Sequence, residues 1–104
     1  MKRFVPVART VDVPAGEART FEVDGRSVLL CNHEGSFYAI DDLCTHDDGP
    51  LSDGRLLGPA IRCPRHGARF DVRTGAVLRM PAVTPIGTHP PRVVDGEVQV
   101  EIDG

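Results

Sequence analysis

The chain has 104 residues, with 12 Lys plus Arg against 15 Asp plus Glu and a net charge of -3. That length suits one domain spanning 1–104 with a modest core, to whose stability a metal site can contribute much, and leaves no room for a separate catalytic domain. The charge is mild and the basic residues are scattered along the sequence, which excludes the footprint of a nucleic-acid binder.

Nothing in the chain approaches the roughly 18 consecutive apolar residues of a membrane span. The opening Met1-Lys2-Arg3-Phe4-Val5-Pro6 lacks an apolar signal core. A soluble, cytoplasmic protein is expected. In chain order, short runs rich in Val, Ile, Phe and Tyr alternate with turn signals, and no segment keeps a helical period over ten residues. The reading is all-β. Predicted strands are Phe4 to Ala8, Arg19 to Val23, Arg26 to Cys31, Ser36 to Asp41, Ala60 to Cys63, Arg69 to Asp71, Ala76 to Leu78, Arg92 to Val94 and Glu97 to Ile102. The connections Asp24-Gly25, Glu34-Gly35, Thr74-Gly75 and Asp95-Gly96 place glycine where a hairpin needs positive φ.

Two segments break the rhythm. From Asp42 to Gly58 the chain is rich in Asp, Gly and Ser and reads as a long irregular stretch, which in a small domain is more often functional than idle. Pro81, Pro85, Pro90 and Pro91 mark a second irregular run, read as a surface loop that packs beside the metal site proposed below. Asp41, Asp42, Asp47, Asp48 and Asp53 gather near the first segment; they read as a solvated polar loop, with an acidic docking rim as the sharper alternative.

The chemistry lies in Cys44-Thr45-His46 and Cys63-Pro64-Arg65-His66-Gly67. Each run offers one thiolate and one imidazole. Zinc sites usually draw cysteines from a Cys-x2-4-Cys knuckle, whereas two matched Cys/His pairs suit two irons, one ligated by sulfur and the other by histidine. Gly49 and Gly67 would let backbone N–H groups approach the sulfurs. The third cysteine, Cys31, has no internal disulfide partner once the other two hold metal, which fits a reducing compartment. Cys31-Asn32-His33 repeats the Cys-x-His form but has no second half, and reads as a buried thiol followed by a solvent-facing histidine. His89, in Gly87-Thr88-His89-Pro90, reads as an exposed loop residue, and Phe70, Val72, Val77 and Leu78 as core.

This double motif resembles the Rieske family. The resemblance covers nearly the whole chain, through Phe37-Tyr38-Ala39-Ile40-Asp41-Asp42-Leu43 ahead of the first ligands, Pro50-Leu51-Ser52-Asp53-Gly54, Ala68-Arg69-Phe70-Asp71 after the second, and Pro81-Ala82. It implies an antiparallel β-sandwich base with a small cluster-binding subdomain of two loops, about residues 42–81. It also implies one [2Fe-2S] cluster, with Cys44 and Cys63 on the inner iron and His46 and His66 on the outer, partly exposed one.

Rieske proteins of respiratory and photosynthetic cytochrome complexes join the two loops by a disulfide, at positions matching Gly49 and Arg65. Neither is cysteine here. Those proteins also place serine and tyrosine at Ala68 and Phe70, whose hydroxyls donate to sulfur; without them the potential is expected near the low end of the family's range, about -150 to +300 mV. The subfamily resembled is the ferredoxin component of bacterial aromatic-ring dioxygenase systems. It implies a monomeric one-electron carrier, with no catalytic residues, between a flavin-dependent reductase and a terminal oxygenase.

The terminal oxygenase itself is excluded, since its mononuclear iron needs a facial triad on a second domain, and His33 and His89 do not supply one. The small subunit of an assimilatory nitrite reductase, a ferredoxin of a diiron monooxygenase, and a structural zinc module remain as alternatives. Arg65 reads as either a partner-contacting cation or a neutral surface residue.

Overall fold

A computed structural model of the chain describes residues 2–45, 49–52, 54–65 and 67–103. The described residues form β1 (Lys2–Arg9), β2 (Ala18–Val23), β3 (Arg26–His33), β4 (Ser36–Asp41), β5 (Arg55–Leu57), β6 (Ala60–Arg62), β7 (Arg69–Asp71), β8 (Val77–Arg79), β9 (Thr88–His89), β10 (Pro91–Val94) and β11 (Glu97–Asp103), with one 3-10 turn over Thr10–Asp12. Three antiparallel sheets result, ordered β1-β11-β10, β2-β3-β4-β9 and β5-β6-β7-β8. The expected all-β antiparallel architecture is present.

Local chemistry explains the hairpins. Asp24, Glu34 and Asp95 have φ of 50°, 54° and 51°, each followed by a glycine at positive φ. Two consecutive left-handed residues match the right-handed twist of the flanking strands and fix their register.

Packing follows from the two-residue period of a strand. In β3 the alternate residues Val28 and Leu30 join Val13, Val23, Ala39, Val98, Val100 and Ile102 in one core. Leu29 and Cys31, on the opposite face, join Ile40, Cys44, Leu51, Ile61, Cys63, Ala68 and Phe70 in a second. The neighbouring β4 divides likewise, with Ala39 on the first side and Ile40 on the second. The middle sheet is thus a wall buried on both faces, which is why β3 reads as a nearly continuous apolar run. One core belongs to the sandwich base. The other holds both cysteines of the double motif.

The structure departs from the sequence reading in several places, among them Leu78, expected in the core but 53% exposed. The segment from Asp42 to Gly58 is not wholly irregular: Arg55–Leu57 forms β5, whose three residues are too few to show an alternating pattern. The proline-rich run ends early, because Thr88–His89 pairs with β4 and Pro91 starts β10. His89 accordingly is not an exposed loop residue. Its side chain is 12% exposed, and Nε2 lies 2.7 Å from Asp41 Oδ1.

Candidate metal centre

Cys44 and Cys63 begin two loops built on the same plan. Cys44 N donates to Gly49 O at 2.7 Å, and Cys63 N donates to Ala68 O at 2.7 Å, so each loop closes back on its cysteine five residues on. Gly67, at φ 77°, turns the second loop and donates to Cys63 O at 3.1 Å. Both thiols are fully buried, neither is in a disulfide, and they share one core. His46 and His66, the other two expected ligands, fall within these loops and lie outside the described residues, as do Asp47, Asp48 and Asp53.

Neighbouring side chains hold the first loop in place. Asp42 Oδ1 accepts from Leu51 N at 2.7 Å while Oδ2 accepts from Thr20 Oγ1 at 2.9 Å. Thr45 Oγ1 donates to Thr84 O at 2.6 Å, tying the loop to the segment after β8. Ile86 N in turn donates to Gly75 O at 2.9 Å, and Ala82 and Ile86 are buried in the cysteine-bearing core. The proline-rich run therefore packs against the first loop and the cysteine-bearing core. Asp41 and Asp42 are not a free acidic rim, since Asp41 pairs with His89 and Asp42 braces the loop.

Arg65 reaches from the second loop to the first. Its Nη1 donates to Pro50 O at 2.9 Å, and a Cβ added at Gly49 would lie 2.6 Å from both Cζ and Nη2 of that guanidinium. Position 49 must therefore lack a side chain for the arginine to lie there. Arg65 is a brace between the loops, a role the sequence reading did not give it. The signal available was the absence of cysteine at both 49 and 65.

The third cysteine, Cys31, is fully buried. Burial, with a smaller contribution from the Asp42 charge, pushes the Cys31 thiol from 9.0 up to about 12. His33, expected to face solvent, keeps only 20% of its side chain exposed. A cleft of 260 Å³ is lined by Tyr38, Ala39, Val72, Arg73, Thr88, His89, Pro90 and Pro91.

Comparison with known proteins gives this geometry its family. The family model of the Rieske [2Fe-2S] domain matches residues 3–90. The chain belongs to the Rieske [2Fe-2S] family. It is 36% identical over 98% of its length to the ferredoxin component of the naphthalene 1,2-dioxygenase/salicylate 5-hydroxylase systems of a Ralstonia species, covering 98% of that protein. Its Rieske fold superposes on the ferredoxin of carbazole 1,9a-dioxygenase from Nocardioides aromaticivorans IC177 with a TM-score of 0.90 at 36% identity, covering 93% of this chain and 95% of that one. A ferredoxin-like chain in a complex of oxygenase and ferredoxin of carbazole 1,9a-dioxygenase matches with a TM-score of 0.88 at 35% identity, covering 93% and 91%.

The Rieske cofactor is a [2Fe-2S] cluster, and the donors present fit it. Two buried, unbridged thiols in a shared apolar core are poor company for water but suitable company for iron and sulfide. In this Rieske chain the loops are joined by Arg65 at the positions that carry a disulfide in the cytochrome-complex branch.

Proposed function

We propose that Cys44 and Cys63 hold the inner iron and His46 and His66 the outer iron of the cluster. The whole chain of 1–104 would then form one Rieske unit whose cluster-binding part spans about residues 42–81. The chain is an electron-transfer component rather than an enzyme. It carries single electrons from a flavin-dependent reductase to the terminal oxygenase of an aromatic-ring dioxygenase system, in the cytoplasm. The observation that carries this reading is the pair of loops, each closed by the same hydrogen bond on a buried cysteine that is in no disulfide. Relatives of nearly equal length named as ferredoxin components support the role and the partners.

When bound, the cluster supplies one reversible electron. The chain's own residues set the conditions for that transfer. Buried Leu51, Ile61, Phe70 and Ala82 exclude water from the cysteine side, so reorganisation around a changing charge is small. Ala68 and Phe70 offer no hydroxyl to the sulfurs, which leaves the extra negative charge of the reduced state less stabilised. No helix among the described residues is long and apolar enough to cross a membrane.

The test is spectroscopic. Protein purified without oxygen should be brown and, once reduced, give a rhombic EPR signal with mean g below 2. A colourless protein holding only zinc overturns the reading. Exchanging His46→Cys or His66→Cys should lower the potential by adding negative charge at the outer iron, and an unchanged potential would remove those residues from the ligand set.

A further inference from the structure

The arginines that look scattered in the sequence are gathered by strand register. Arg55 pairs with Arg62 across β5 and β6, Arg62 with Arg69 across β6 and β7, and Arg69 with Arg79 across β7 and β8. Directly opposed residues share a face, so four arginines form one row across the whole of the small sheet. Ile61 and Phe70, the strand neighbours of Arg62 and Arg69, point the other way into the cysteine-bearing core, which places the row on the outer face. Arg55, Arg62 and Arg79 are exposed.

Like charges placed directly opposite one another repel, and nothing in the sheet relieves this row. Its only acid, Asp71, accepts from Arg73 N at 2.8 Å, Nε at 3.1 Å and Nη2 at 2.9 Å. Among the described residues none of the four row arginines is in an ion pair. Arg69 Nε is buried without a hydrogen-bond partner. A chain of net charge -3 thus concentrates on one strip cations that no acid among the described residues pairs with. The strip adjoins the second cysteine loop: Arg62 precedes Cys63, and its Nη2 lies 3.6 Å from the Cβ position of Gly67.

We propose that this row is a docking surface for a carboxylate-rich face of a redox-partner protein, which it seats against the second cysteine loop. The inference rests on the electron-carrier reading for the partner's class, and on charge and register for the surface. Four guanidinium groups in line fit a row of carboxylates through paired N–H donors, and their field steers such a partner from a distance.

The test uses the cluster-loaded protein and fluorescent poly-L-glutamate, with a short DNA duplex as the competing polyanion. Binding to poly-L-glutamate at low salt should weaken about tenfold in the triple variant Arg55→Gln, Arg62→Gln, Arg79→Gln. It should change less than about twofold in Arg3→Gln, Arg19→Gln, Arg92→Gln, which removes equal charge from the other sheets. Lysine at the same three row positions should retain most of the binding. Equal losses in the two glutamine triples would reduce the row to net charge and overturn the proposal. Row-dependent binding tighter for DNA than for poly-L-glutamate would also overturn it, in favour of a nucleic-acid surface. Visible spectra are recorded first: an unaltered chain without cluster absorbance overturns the electron-carrier reading, whereas loss of binding among cluster-loaded variants reports on the row alone.

Discussion

Arg65 and Gly49 make one device, and their contributions to stability should not add. The arginine is exposed and charged, so its bond to Pro50 O is worth about 0.5–1 kcal/mol after solvent screening. Arg65→Met should cost that much and speed cluster release. Gly49→Ala, whose methyl takes the guanidinium's place, should cost about as much in the native chain and nothing further in Arg65→Met. Thermal unfolding of the four proteins measures the coupling, and additive losses would show that the two residues act separately. Cys31 gives a prediction in pH. Its raised pKa means that its contribution is full below about pH 9 and is lost as pH rises toward about 12; iodoacetamide near neutrality should label it only after unfolding. For the potential, Ala68→Ser and Phe70→Tyr should each raise the midpoint by about 40 mV, the one-electron equivalent of a hydrogen bond of about 1 kcal/mol, read by spectroelectrochemical titration. At this scale the sequence showed which residue types were missing at 49, 65, 68 and 70. It did not show that an arginine spans the gap, because that contact joins two loops fifteen residues apart.

Among the elements, β3 is the strand on which the two cores depend. Leu29→Ala and Leu30→Ala remove the same atoms from opposite faces, and each should cost about 2–5 kcal/mol. Only Leu29→Ala should also accelerate loss of visible absorbance, since its face alone shares a core with Cys44 and Cys63. Equal cluster lifetimes in the two variants would refute that division. The β3-β4 turn carries Glu34 at φ 54°, a costly angle for a side chain, so Glu34→Gly should stabilise by about 0.5–1 kcal/mol in denaturant titration. Elements with strong local signals were legible from sequence alone. β4 and β7 match their expected bounds because apolar alternation and Asp-Gly or Glu-Gly turns delimit them, or a cysteine loop precedes them. β5 and β9 were not, as strands of three and two residues are made by their partners rather than by their own composition. The arginine row was illegible for a related reason: register across four strands is a property of the sheet, not of any one segment.

For the molecule as a whole, the separation into two cores predicts a graded response to metal removal. Taking iron and sulfide from the protein should loosen the core that holds Cys44 and Cys63, the thiols proposed as ligands, and leave the base core intact. Hydrogen exchange in the cluster-free protein should therefore rise in β5 to β8 while β1, β10 and β11 stay protected; uniform loss of protection would show one cooperative unit instead. The wall between the cores has a further consequence for how such a protein can diversify. Because odd positions of β3 answer to the redox half and even positions to the base, its sequence is two interleaved texts. One can be rewritten to retune the environment of the electron, and the other need not change a letter for the fold to stand.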